Sequence, residues 1–371
     1  MRILKAELRT IQLPLVRPFR TSFGTQTSRE VLMVSVVNEN GTRGWAECVA
    51  MSAPLYSPEY TAGCLDLIKT FLLPKLKSEG DIQAENVGQI LRPFLGGQMA
   101  KAALETAILD AELRDAGKSL ATYLGATKDK VECGVSVGIA KSIDELVEEV
   151  ASYVDAGYRR IKLKIEPGWD IEPVGKIRSL YPQIPLQVDA NQAYSRNDGA
   201  HLANLDQFNL LLIEQPLDEH DILGHAILAS QVKTPICLDE SIISLQSAQD
   251  ALALNATTVI NIKPGRVGGY IESVKIHNLC LEKKIPVWCG GMLETGIGRA
   301  ANLALAALPG FTLPGDTSAS ARYFKRDITE PFVMENGYLK VPNKPGIGID
   351  PDLEFLESIR SEEHTSELQS H

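Results

Sequence analysis

The sequence predicts an α/β protein in which a parallel β/α barrel follows an N-terminal α+β domain, and three observations carry that expectation. Between Lys162 and Lys263, five short apolar runs each end in a charged residue: Ile161-Lys162-Leu163-Lys164, Leu186-Gln187-Val188-Asp189, Leu211-Leu212-Ile213-Glu214, Ile236-Cys237-Leu238-Asp239 and Val259-Ile260-Asn261-Ile262-Lys263. Lys164 to Asp189, Asp189 to Glu214 and Glu214 to Asp239 are intervals of 25 residues each, and Asp239 to Lys263 is 24. Such a period accommodates one strand, one helix and two short loops. Finally, 371 residues suffice for a barrel of about 200–250 residues and a second domain of about 100.

Taken in order, Ile3 to Leu13, Val31 to Val37 and Gly44 to Val49 read as strands, with Asn38-Glu39-Asn40-Gly41 as a hairpin turn between the last two. Helical periodicity follows in Glu59 to Leu76, Val87 to Leu95 and Ala100 to Ala116, the last stopped by Gly117. Strands followed by helices do not make a parallel fold, so residues 1–125 are expected to form a separate α+β capping domain. Arg17 to Thr25, with Phe19 and Phe23, reads as a loop between the first two strands, and a second loop carries Met51, Pro54, Leu55 and Tyr56. Large apolar side chains on loops make either incidental contacts or lids over a substrate pocket. The barrel is expected over 126–322. Cys133 to Gly138, which includes Ser136, supplies its first strand, and helix Ile143 to Ala156 precedes the five runs. Pro286 to Gly291, and Phe311-Thr312-Leu313 running into Asp316, bring the strand candidates to eight. Gly298 to Leu308 is small and apolar throughout and reads as a buried helix. Over 323–359 the pattern turns antiparallel, and Phe332 to Glu335 and Tyr338 to Val341 flank Asn336-Gly337 as a hairpin returning to the first domain. The string RSEEHTSELQSH at 360–371 resembles, codon for codon, the translation of a widely used DNA-sequencing adapter and is expected not to be native sequence.

Composition narrows the function. A net charge of −10 argues against a nucleic-acid or anionic-membrane surface. The absence of a signal-peptide pattern and of an 18-residue apolar run leads to the expectation of a cytoplasmic protein. The six cysteines show no CxxC pair and read as buried thiols. None of the six histidines falls at a strand end, so proton transfer there would use lysine or carboxylate.

Those strand ends define candidate chemistry. A charge at the end of a buried strand has to sit at the barrel mouth, because an unpaired ion in the core costs several kcal/mol, and that mouth is where barrel active sites lie. Asp189, Glu214 and Asp239 form an all-oxygen set suited to a hard divalent cation: Mg²⁺ first, with Mn²⁺ or another divalent ion as the alternative. Lys164 and Lys263 come from strands on either side of that set, which places a candidate base on each face of a carbon acid bound between them. A lysine works as a base only if its pKa falls below about 10.4, which burial and a nearby cation would bring about. Lys162, two positions before Lys164, would either damp the pKa of its neighbour or stand as a plain rim charge.

These strings resemble a known group of enzymes. Lys162-Leu163-Lys164, Asp189-Ala190-Asn191, Ile213-Glu214-Gln215-Pro216, Leu238-Asp239-Glu240-Ser241, the run from Asn261 to Gly269 and the run from Gly290 to Gly296 resemble the enolase superfamily and, within it, the muconate-lactonising subgroup. The longer strings IKLKIEPGWD, LLLIEQPL, TPICLDESI, PVWCGGMLETGIGRAAN and FTLPGDTSAS resemble the o-succinylbenzoate synthase / N-acylamino acid racemase family. The resemblance implies a modified TIM barrel of the (β/α)₇β kind beneath the capping domain. It implies proton transfer by Lys164 and Lys263, Mg²⁺ ligation by Asp189, Glu214 and Asp239, and orienting roles for Asn191 and Glu240, for which simple rim hydrogen bonding is the alternative. Ser136, Gly291, Met292 and Glu294 join Phe19, Phe23, Met51 and Tyr56 as candidate pocket residues. Ala321 stands where the family pattern has an acidic residue after DTSAS, which puts a polar contact near the eighth strand in doubt.

Two reactions fit the implied site. One is dehydration of a succinylated cyclohexadiene carboxylate to o-succinylbenzoate, a step of menaquinone synthesis. The other, ranked second, is racemisation of an N-acylamino acid, either as an added activity of the synthase or as the work of a dedicated racemase with the same two lysines. Either way the expected partner is a small carboxylate with a succinyl or N-acyl arm, bound by a homo-oligomer without nucleic acid or membrane.

Overall fold

Stretches rich in β-branched and apolar residues, Ile3–Thr21 (β1), Gly24–Asn38 (β2) and Arg43–Cys48 (β3), form an antiparallel meander in the computed structural model. The structure describes residues 1–367. The expected loop over 17–25 is instead the far end of the β1/β2 ribbon: Phe19 pairs with Gln26, Arg20 with Thr25 and Thr21 with Gly24. The ribbon accommodates Pro14 and Pro18 at an irregularity between Pro14 and Phe19, beyond the reach of β13; there the other edge of β1 is held by a bridge from Leu15 to Phe324 and by the Val16 amide donating to the Tyr323 carbonyl at 2.9 Å.

The helices of this domain start and end within a few residues of their expected limits. Thr61–Leu67 passes through a π-helical turn at Ile68–Leu72 into Leu73–Glu79, where one uninterrupted helix was expected, and Ala84–Ile90 and Gln98–Asp115 follow. Gln98–Asp115 is buried along nearly its whole length because it lies between the meander and the barrel.

The strand β4 (Lys130–Glu132) leads into the barrel. Its sheet has seven parallel strands in sequence order: β5 (Gly134–Val137), β6 (Arg160–Lys164), β7 (Leu186–Asp189), β8 (Ile213–Glu214), β9 (Ile236–Leu238), β10 (Val259–Ile262) and β11 (Val287–Cys289). Register aligns Lys164 with Asp189 and Asp189 with Glu214, so the charged ends form one row. The eighth segment closes the barrel through single parallel bridges, Val287 to Phe311 and Cys133 to Gly315, rather than as a full strand. Pro314 breaks its ladder. Helix Gly296–Ala306 is wholly buried save for Gly298, in line with its small apolar sequence.

Two expectations for 323–359 are corrected. Phe332 to Glu335 is not a strand: the expected turn at Asn336-Gly337 does close, through a single antiparallel bridge between Glu335 and Tyr338, but β12 (Tyr338–Lys340) goes on to pair with β4 and the turn does not lead back to the first domain. The return comes later: the Ile347 amide donates to Asp110 and the Arg114 guanidinium to Asp350 and the Ile349 carbonyl. Ala321 is exposed in the 3₁₀ turn Ser320–Arg322, away from the row of charges. Residues Arg360–Glu367, whose native origin the sequence put in question, lie along β1 as an antiparallel edge strand, β13; the remainder of that string, 368–371, lies outside the described residues. All six cysteines are free and buried. Among the described residues, no helix is long and apolar enough to cross a membrane.

Candidate active site

Because β6, β7, β8 and β10 are buried on both faces, their terminal charges have only the mouth of the barrel to occupy, and they take it as a packed array. Lys164 Nζ donates to Asp189 Oδ2 at 2.5 Å and to Asn191 Oδ1 at 2.6 Å. At the other end of the row, Lys263 Nζ donates to Asp239 Oδ2 at 2.8 Å and to the Tyr56 hydroxyl at 3.2 Å. Glu214, between them, accepts from Lys162 Nζ at 3.1 Å and from Asn261 Nδ2 at 2.8 Å. Asp189, Glu214 and Asp239 are each 1% exposed or less.

Backbone geometry sets this array. Asn191, Gln192, Gln215 and Leu293 all have positive φ, between 37° and 67°. Non-glycine residues in that region cost about 1–3 kcal/mol each, and they concentrate where a loop must aim a side chain. Here they lie within four residues of the ends of β7, β8 and β11. The Gln215 side-chain oxygen Oε1 accepts from the backbone amides of Asp239 (3.0 Å) and Ser241 (3.2 Å). Gly290 is required by packing, since a Cβ there would lie 2.3 Å from Asn261 Oδ1 and 2.7 Å from Lys263 Cε.

The charges shift one another. Burial raises the Asp189 carboxyl, but Lys164 and Lys162 outweigh it and hold the group at about 2. Burial, then repulsion from Asp189, pushes Glu214 up, and the same two causes bring Glu240 to about 7. Burial draws Lys263 down, yet the surrounding Tyr56 hydroxyl and the Glu214, Glu240 and Asp189 carboxyls prevail and leave it above the ordinary lysine value. The protein groups alone thus hold Lys263 as a cation, opposite to what a base requires, and added positive charge beside the carboxylates would reverse that balance.

The donor set fits a divalent cation. It is all oxygen, buried and mutually repelling, and Glu240 Oε2, beside Asp239, has no hydrogen-bond partner. Among the described residues, no three carboxylate, histidine or cysteine side chains stand close enough together to hold an ion as they are. The reason is visible: Lys164, Lys162, Lys263 and Arg266 occupy the carboxylate oxygens, so a cation would take the place of these contacts.

The two segments with large apolar side chains both reach the barrel mouth. At the ribbon tip, the Ser22 hydroxyl bonds the carbonyls of Ala190 (3.2 Å) and Asn191 (3.1 Å), the Arg20 carbonyl accepts from the Ile139 amide at 2.9 Å, and Arg20 pairs with Glu166 at 2.7 Å. Phe19 is buried beneath the tip and Phe23 half-buried. From the second segment, the Tyr56 hydroxyl reaches Asp239 at 3.0 Å, whereas Met51 is buried at the base, where its carbonyl accepts from the Thr61 amide. Tyr56 also borders a cleft of about 210 Å³, with Met99, His220, Glu240 and Arg266 among its walls. Met292 places its sulfur 3.7 Å from Lys263 Nζ, and its amide donates to Glu294, which lies beside Gly291. Ser136 is buried on β5 opposite Lys162, its hydroxyl without a partner. The structure thus gathers Tyr56, Gly291, Met292 and Glu294 on the Lys263 side, puts Phe19, Phe23 and Ser136 toward Lys162 and Lys164, and leaves Met51 as a support.

Sequence reasoning missed Asp316, Asn261 and Arg266. Asp316 ends the eighth segment and pairs with Lys162 Nζ at 2.7 Å, so the strand-end rule that found its counterparts applied to it as well. Asn261 lies two residues before Lys263 on the same face of β10, as Lys162 does before Lys164. Arg266 is buried, ion-paired with Asp239, and bonded to the Tyr56 hydroxyl at 3.2 Å. Only its place in the glycine-rich run after β10 marked it.

Comparison with known proteins agrees with this architecture. Residues 5–125 match the mandelate racemase / muconate lactonizing enzyme N-terminal domain and residues 145–355 the enolase C-terminal domain-like family. An N-succinylamino acid racemase of Amycolatopsis sp is 56% identical over 360 residues, 97% of this chain and 98% of the relative. An o-succinylbenzoate synthase of Geobacillus kaustophilus is 47% identical over 351 residues, 94% of each. A crystal structure of an enolase-superfamily member from Listeria innocua superposes with a TM-score of 0.95 at 41% identity, covering 100% of both chains. The chain therefore belongs to the mandelate racemase / muconate lactonizing enzyme family of the enolase superfamily, with o-succinylbenzoate synthases and N-succinylamino acid racemases among its relatives.

Proposed function

We propose that the chain removes the proton α to a carboxylate on a small succinylated acid, and that it runs an o-succinylbenzoate synthase reaction and N-succinylamino acid racemisation with the same two lysines. The observation that carries this reading is the placement of Lys164 and Lys263 at opposite ends of the carboxylate row, each held by a carboxylate and one neutral group. A divalent cation held by Asp189, Glu214 and Asp239 would offset the second negative charge that a substrate carboxylate gains as its α-proton leaves. In racemisation, one lysine takes the proton from its face of the carbon and the other delivers a proton to the opposite face. In the synthase reaction, one lysine takes the proton, the ring loses hydroxide, and the second lysine needs only to remain a cation beside the developing charge.

Asn191 positions Lys164, because its amide oxygen accepts from that lysine while its amide nitrogen donates to Glu240 Oε1 at 3.0 Å. The ribbon tip and the Tyr56 segment exclude water above the row and give the succinyl arm apolar surface. A dedicated racemase is the second reading, favoured by the name of the Amycolatopsis relative. The test compares kcat/KM for 2-succinyl-6-hydroxy-2,4-cyclohexadiene-1-carboxylate and N-succinylphenylalanine in Mg²⁺. Turnover of both is expected. Turnover of the amino acid alone would establish the second reading, and α-proton exchange with neither substrate would contradict both.

A further inference from the structure

We propose that Arg160 and Asp316 form a charge column beneath the site that sets how tightly Asp189 and Glu214 bind a divalent cation, by drawing Lys162 away from them. This rests on the reading of Asp189, Glu214 and Asp239 as cation ligands. Lys162 Nζ has three carboxylates within reach, and the nearest is not one of those ligands: Asp316 Oδ2 lies at 2.7 Å, Glu214 Oε2 at 3.1 Å and Asp189 Oδ2 at 3.3 Å. Asp316 is held in turn from below by Arg160 Nη2, 2.9 Å from its other oxygen. Arg160, Lys162, Asp189 and Glu214 are all 2% exposed or less and Asp316 is 7%, so little water screens the column.

The arrangement is built into the barrel interior. Arg160 is fixed by the carbonyls of Pro314 (2.9 Å) and Val135 (3.3 Å), and both cations lie against the Trp288 ring, Arg160 at 5.2 Å and Lys162 at 4.7 Å from its centroid. Gly134 leaves the guanidinium its space, since a Cβ there would lie 2.4 Å from Arg160 Cζ. Arg160, Asp316 and Lys162 alternate in sign, which gives +1 − 1 + 1 = +1 beside the two ligands. Neutralising Asp316 leaves +2 and frees Lys162 to pair fully with Asp189 and Glu214 in competition with the incoming cation. Neutralising Arg160 leaves zero, with Asp316 holding Lys162 alone. The two changes therefore act in opposite directions, whereas a purely structural role would make both weaken the site.

The experiment titrates the full chain with Mg²⁺ alone by calorimetry, without substrate, alongside a thermal melt of each variant. Asp316→Asn is expected to weaken Mg²⁺ binding by about 10–100-fold, the range typical of groups behind a metal ligand. Arg160→Met is expected to bind at least as tightly as wild type. Unchanged affinity in Asp316→Asn, or weaker binding in Arg160→Met, overturns the proposal. Should Asp316→Asn fail to fold, Arg160→Met decides alone. A wild-type chain that binds no Mg²⁺ overturns the ligand reading itself, whereas binding that neither substitution alters overturns only the column.

Discussion

Asp239 illustrates how much one side chain does at this site. Its carboxylate meets Lys263, Arg266 and the Tyr56 hydroxyl, so it links a candidate base, a buried cation and the segment that carries Tyr56. Asp239→Asn keeps the shape and removes the charge. It is expected to lower Mg²⁺ affinity by at least the 10–100-fold typical of the groups behind a metal ligand, measured by calorimetry on the folded variant; wild-type affinity would remove Asp239 from the ligand set. The residues most readable in the sequence were those at fixed phase: Lys164, Asp189, Glu214, Asp239 and Lys263 all terminate runs of one period. Asp316 was less readable because Pro314 and Gly315 interrupt its strand, and the ion pairs that make it matter join residues more than 150 positions apart.

At the scale of elements, periodicity found the barrel strands and the helices between them because each unit is local. What it could not find were the segments defined by a distant partner. The Arg17 to Thr25 stretch is rich in polar residues and carries a proline, yet it is ribbon, since its two sides pair with each other and its tip docks on the loop after β7. The local turn at Asn336-Gly337 forms, bridged by Glu335 and Tyr338, but the strand Tyr338–Lys340 takes as its ladder partner Lys130–Glu132, some 200 residues earlier, and no local signal names that choice. Tyr56 stood out only as a large aromatic on a loop, and its hydrogen bond to Asp239 spans 183 positions. The pocket candidates were correspondingly the least separable part of the site: Tyr56 and Met292 touch the Lys263 array, whereas Met51 does not.

At the scale of the whole molecule, two buried glutamates of the N-terminal domain sit on helix N-termini of the barrel. Glu105 accepts from the Ile271 amide at 3.1 Å, at the start of helix Tyr270–Lys283, and Glu47 accepts from the Thr295 amide at 3.1 Å, at the start of helix Gly296–Ala306. Helix N-termini favour carboxylates, yet burial dominates and pushes both groups up to about 8. A carboxyl whose folded value lies above its unfolded value of about 4.3 retains its proton in the folded state over that interval. The stability it confers is therefore complete below the unfolded value and is lost as pH rises through the folded one. The melting temperature is expected to fall between pH 5 and pH 8, and Glu105→Gln, which keeps the contact without the titration, is expected to flatten part of that slope. An unchanged slope in Glu105→Gln would show that this residue does not couple the domains to pH.

The central claim is that Lys164 and Lys263 each serve one face of the same carbon. It is tested most directly by following α-proton exchange of the two enantiomers of N-succinylphenylalanine in D₂O by NMR, with Lys164→Ala and Lys263→Ala in the presence of Mg²⁺. Each variant is expected to lose racemisation by at least the 10²–10⁴-fold that general acid–base catalysis typically contributes, while still exchanging the α-proton of one enantiomer, opposite for the two variants. Racemisation at the wild-type rate in either variant, or exchange of both enantiomers by the same one, would contradict the two-lysine account.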